Sequence, residues 1–149
     1  MFGKSKKGQK EKPPVLIQQA SEYAIKIGNG LGFGNLDFSP GSLDSAERVL
    51  DKFSKDWTEE EREENIVRET VAWGAYIGET MRRNVPSAAD WVIPEPEEGK
   101  YPYFTCKAND GQLVEVSPMD KAYKRIISGE SESIPFYYKT LLQIINTGI

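Results

Sequence analysis

The groups available for chemistry are defined first by an omission: the 149 residues contain no histidine. Imidazole is the usual proton shuttle at neutral pH and the commonest metal ligand. Serine-histidine and cysteine-histidine nucleophilic machinery and histidine-bearing zinc sites are therefore excluded. Any catalysis would fall to carboxylates, lysine, tyrosine or a bound cofactor. Glu69 and Glu79 lie ten positions apart, roughly 15 Å along a helix at about 1.5 Å per residue, too far to share one bond as paired glycosidase carboxylates do. Asp37, Asp90, Glu115 and Asp120 have no spacing that directs them toward either one. Acidic residues abound, but the Asp-x-Asp-x-Asp-Gly pattern of a calcium loop does not occur. No metal site and no cofactor are expected.

A second constellation is cationic and aromatic. Arg82, Arg83 and Asn84 close a long helical pattern, Lys121, Lys124 and Arg125 project from a later one, and Tyr76, Trp91, Tyr101 and Tyr103 are candidates for stacking near them. Cations at a helix C-terminus are favoured by the helix dipole alone. Arginine and tyrosine are also enriched where proteins grip one another. Tyr76, Glu79, Arg82, Arg83, Trp91, Lys124 and Arg125 are accordingly the candidate binding residues, with an acidic peptide or partner protein as the ligand they suit. Cys106, the only cysteine, alternates with Phe104 and Ala108 and is expected to be an inert core thiol. The glycine-rich run Gly28 to Gly34 follows a helix rather than a strand, so it reads as a helix end and connection, not a phosphate cradle.

These residues must be positioned by helices and one hairpin. Leu16, Ile17, Ala20, Tyr23, Ala24 and Ile27 recur at helical spacing, with Gly28 as the expected stop. Leu36-Asp37-Phe38 is expected to be a short strand, and Ser39-Pro40 or Ser42 to open a helix whose buried stripe is Leu43, Ala46, Val49, Leu50 and Phe53. Thr58 with Glu61 forms a capping box ahead of the helix from about Glu59 to Arg83. In that helix Ile66, Val67, Thr70, Val71, Trp73, Gly74, Ile77, Gly78 and Met81 share a broad face, as in a central core helix. Each helical glycine costs about 1 kcal/mol relative to alanine, so Gly74 and Gly78 point to a partner packed too close for a Cβ. The face carrying Ala72, Ala75, Tyr76, Glu79 and Arg83 is left as surface or a shallow contact site.

Trp91-Val92-Ile93 reads as a strand, and Tyr101 to Ala108 alternates before the Asn109-Asp110-Gly111 turn returns the chain through Gln112 to Val116 as a hairpin. Ser117-Pro118 opens another helix that stops near Gly129, Glu130 to Ser133 is a polar connection, and a last helix from Ile134 ends at Gly148. The expected class is a single α+β domain over residues 13–149, with a small antiparallel sheet (hairpin near 101–116) packed against a long central helix and several further helices. Residues 1–12 carry five lysines against Glu11 and are expected to be a disordered basic tail. With the whole chain at −4 and this tail at +4, the remainder carries −8, which argues against duplex binding. Nucleic acid is expected to bind, if at all, only through the tail. No export signal or membrane-length apolar run is found, and a lone cysteine fits a reducing compartment, so the expected location is cytoplasmic, without membrane insertion.

Leu36-Asp37-Phe38-Ser39 with Ser42-Leu43, the Gly74-Ala75-Tyr76-Ile77-Gly78-Glu79 helix followed by Arg82-Arg83-Asn84 and Trp91, and Lys124-Arg125-Ile126 before Gly129 together resemble an uncharacterised family of small bacterial cytosolic proteins. The resemblance spans residues 36 to 130 and brings no catalytic residue with it. Similar small proteins are often accessory or immunity-type binders. A non-catalytic protein-binding or accessory module is therefore the leading expectation, and a small carboxylate- or metal-dependent enzyme without histidine is the alternative. The oligomeric state is not set by the sequence.

Overall fold

The computed structural model describes residues 10–147. Most of the expected tail (residues 1–9) and the expected stop at Gly148 lie outside the described residues. Among the described residues, five helices and a two-stranded antiparallel sheet make up an α+β domain: α1 (Val15–Gly30), α2 (Leu43–Asp56), α3 (Glu59–Asn84), β1 (Phe104–Lys107), β2 (Leu113–Val116), α4 (Pro118–Ser128) and α5 (Ile134–Thr147). Short 3-10 turns precede α2 at Pro40–Ser42 and α5 at Gly129–Glu132, the latter where a polar connection was expected.

Helix α3 organises the molecule. Its start is fixed by the reciprocal capping box, in which Thr58 Oγ1 accepts from the Glu61 amide at 3.1 Å and Glu61 Oε1 accepts from the Thr58 amide at 2.9 Å. Three glutamates occupy the first turn and two arginines the last, both matching the helix dipole. From Glu69 to Arg82 nearly every side chain is buried, because α1 packs on one side and α4 on another. The face of Ala72, Ala75, Tyr76 and Glu79 is thus interior, not surface, and only Arg83 of that group is exposed. Val67, expected in the buried stripe, lies on the exposed N-terminal half.

The two α3 glycines mark the closest approaches. A Cβ on Gly74 would sit 2.6 Å from the Cα of Met119 in α4, and one on Gly78 would sit 2.5 Å from Pro118 Cγ and from Trp91 Cη2. Trp91 in turn meets Phe104 of β1 edge to face, with centroids 5.2 Å apart, so it is the wedge that joins hairpin to helix.

Register along the hairpin pairs Phe104 with Val116 and Cys106 with Val114. Gly111 takes φ of +91° in the turn and donates its N–H to Ala108 O at 2.9 Å, which is why glycine stands there. The expected strand at Trp91-Val92-Ile93 reduces to one antiparallel bridge between Val92 and Tyr103.

Three local expectations are corrected. Helix α1 continues past Gly28 to Gly30; Gly28 is a contact glycine, where a Cβ would meet Leu36 and, at 3.2 Å, Trp73. Ser39-Pro40 opens the 3-10 turn and Ser42 stands at the N-cap position of α2, as expected, but neither hydroxyl makes a capping bond; that of Ser42 donates to Ser39 O at 2.7 Å and accepts from Tyr76. Leu36 to Phe38 is not a strand, because Asn35 and Phe38 adopt φ of +67° and +62°. That conformation is uncommon outside glycine, and at Phe38 it is held by side-chain bonds from α3: the Phe38 N–H donates to the Tyr76 hydroxyl at 3.0 Å and its carbonyl accepts from Asn84 Nδ2 at 2.9 Å.

Candidate functional site

Four of the seven sequence candidates meet at the C-terminal end of α3. Glu79, 1% exposed, accepts from Arg82 Nε (2.9 Å) and the Trp91 indole N–H (2.9 Å) on one oxygen, and from Arg83 Nε (2.8 Å) and Arg82 Nη2 (3.1 Å) on the other. Burial opposes its charge. The bonds from Arg82, Arg83 and Trp91 outweigh that and hold the carboxyl below its ordinary range.

Arg82 is also fully buried, completed by Asp90 Oδ1 at 3.3 Å and the Glu11 carbonyl at 2.6 Å. Beside it, Lys10 Nζ donates to three carbonyls, those of Val85, Pro86 and Ala88, at 3.1, 3.0 and 2.6 Å. Burial, and then the charge of Arg82, draw the Lys10 ammonium below its usual pKa. Lys10 and Glu11, read as part of the tail, thus lie against the end of α3.

Arg83 is different. Its guanidinium lies over the Phe38 ring at 3.9 Å from the centroid, Phe38 itself stacks on Tyr76 at 4.8 Å, and the side chain is 44% exposed. Its Nε is bound to Glu79, while its terminal nitrogens have no partner among the described residues. A groove of about 240 Å³ opens beside it, lined by Lys12, Pro13, Gln18, Ser21, Glu22, Ile25, Phe38, Glu79 and Arg83.

The remaining candidates lie apart or inside. Tyr76 is enclosed, donating to Ser42 Oγ at 2.7 Å. Arg125 is buried between α4 and α2, donating through Nε to Glu47 at 2.9 Å and through Nη2 to Asp51 at 2.7 Å. Burial lowers its pKa, but the two carboxylates more than reverse that. Glu47 also accepts the Ile134 amide at 3.0 Å and so caps α5. Lys124 is exposed on α4. Of the seven, Arg83 and Lys124 are the surface groups.

Glu69 forms a parallel cluster one end up the helix, accepting from Tyr23 at 2.8 Å, Trp73 Nε1 at 3.2 Å and Arg68 at 3.2 Å. No group of three or more cysteine or acidic side chains among the described residues is placed to share a metal ion. Cys106 is fully buried, and desolvation raises its thiol to about 11.

Sequence reasoning missed Phe38, Lys10 and Ser21. Ser21 had a signal: Ile17, Ser21, Ala24 and Gly28 form the buried stripe of α1, so a hydroxyl interrupts an apolar row. Phe38 and Lys10 had none, because both are placed by tertiary contacts. The chain matches no protein-family model, no curated protein and no solved structure.

Proposed function

We propose that the chain is a non-catalytic protein-binding module of accessory or immunity type, meeting its partner where the end of α3 lies beside α1 and the segment before it. The observation that carries this reading is Arg83. It is stacked on Phe38 and tethered through one nitrogen to a buried carboxylate, so its remaining donors are pre-oriented at the surface. Pre-organisation reduces the entropy lost on association, and arginine anchors of this kind often dominate binding energy. Against a carboxylate enzyme stands the state of Glu79: both oxygens already accept hydrogen bonds and its affinity for a proton is lowered, the opposite of a general acid tuned upward. The immunity-type character rests on the sequence resemblance alone, and a cytoplasmic location suits it.

The test is capture of partners from native cytosol by the parent protein, Arg83→Glu and Lys139→Glu. The same protein should be recovered by the parent and by Lys139→Glu, which alters an exposed residue of α5 outside the groove's lining, and lost with Arg83→Glu. Recovery that ignores the Arg83 substitution, or no partner at all alongside turnover of a small substrate, would overturn the reading.

A further inference from the structure

We infer that the groove beside Arg83 receives the carboxylate of an acidic side chain on the partner, with an adjoining apolar residue lying against Ile25 and Phe38; this rests on the binding reading above and names its ligand chemistry. The groove's size is the first argument. At about 240 Å³ it falls below the roughly 300–1,000 Å³ of small-molecule sites, which fits an inserted side chain better than a whole metabolite.

Its donor set suits an anion. Arg83 offers guanidinium nitrogens without partners among the described residues, and Lys12, an exposed cation, also lines the groove. Ser21 is 2% exposed and lines the groove, and its Oγ is buried without a hydrogen-bond partner. Buried hydroxyls are nearly always paired, so an acceptor arriving in the groove would satisfy one that the fold leaves open.

Two carboxylates also line the groove and must be weighed. Glu79 is matched by Arg82 and Arg83 and adds little free negative charge. Glu22 is exposed, where solvent and salt weaken its repulsion. Pro13, Ile25 and Phe38 supply apolar wall, which a bare anion would leave unused and an acidic residue flanked by leucine would cover.

The probe is N-acetyl-Leu-Glu-Leu-amide, with its glutamine counterpart and inorganic phosphate as comparisons, titrated into the full-length labelled protein and followed by NMR at the Ser21 amide, the Phe38 amide and the Arg83 Nε–H. The glutamate peptide should give saturable shifts at all three, and the glutamine peptide should not. Ser21→Ala removes an unpaired hydroxyl, so it should melt no lower than the parent yet bind about tenfold more weakly, the scale of one hydrogen bond to a charged group. Equal shifts with both peptides, saturation by phosphate matching that of the glutamate peptide, or full affinity in Ser21→Ala would each overturn the inference. If no probe shifts these groups while capture still depends on Arg83, the acidic-side-chain assignment fails and the binding module stands; if capture is also independent of Arg83, both fall.

Discussion

Replacing Gly74 with alanine tests the packing that fixes the whole domain. In an unobstructed helix the change would stabilise by about 1 kcal/mol through helix propensity. Here the new Cβ would stand 2.6 Å from the Cα of Met119, and a backbone atom cannot move aside by changing rotamer. Helix α4 would have to retreat from α3, disturbing Met119 and Ala122, both fully buried. Overpacking of this kind typically costs 1–3 kcal/mol, and the backbone obstruction places it at the upper end, for a net loss of about 2 kcal/mol after the propensity gain. Urea unfolding followed by tryptophan fluorescence should show a lower midpoint with an unchanged slope. Gly30→Ala is the matched control: its Cβ would meet nothing within 4 Å, so it should be neutral or mildly stabilising. A Gly74→Ala protein as stable as the parent would refute the close-packing argument.

Other consequences follow from the buried charges. Glu79→Gln should destabilise by about 3 kcal/mol in urea unfolding, the low end for a broken buried pair, because Arg82 keeps Asp90 and the Glu11 carbonyl. Since the folded Glu79 carboxyl is held below its ordinary value, its contribution to stability is complete above the unfolded pKa of about 4.3 and is lost as pH falls through the folded value; the acid limb of the stability curve should be shallower in Glu79→Gln. Cys106, with its thiol raised to about 11, should resist a thiol reagent at pH 8 in the native protein and react promptly in urea, so fast native labelling would contradict its burial.

The sequence was most readable where local and tertiary preferences agree. The Thr58–Glu61 box and the Asn109-Asp110-Gly111 turn each have a local cause and form as expected, whereas the apolar period of α3 holds from Thr70 to Met81 and fails at Val67, which is exposed. Gly74 and Gly78 were readable because glycine is costly inside a helix and implies a neighbour. Charged residues misled, because arginine and glutamate are seldom buried unless paired and their partners lie far off in sequence. Glu47 and Asp51 are 78 and 74 positions from Arg125, and Trp91 is 12 from Glu79. Phe38 illustrates the same limit for backbone: its left-handed conformation depends on Tyr76 and Asn84, 38 and 46 residues away. Helical spacing did gather Glu79, Arg82 and Arg83 at one end of α3, but which of them faces water was decided by α1 and by Lys10 to Pro14.

Glu79, its carboxyl held below the ordinary range by Arg82, Arg83 and Trp91, is ionised at neutral pH and anchors Arg83 in place. Its side-chain carboxyl carbon, followed by NMR across an acid titration, should show a midpoint below the ordinary glutamate value of about 4.3. A midpoint raised toward roughly 6–7, where general acids are tuned, would mark Glu79 as a proton donor and contradict the non-catalytic reading.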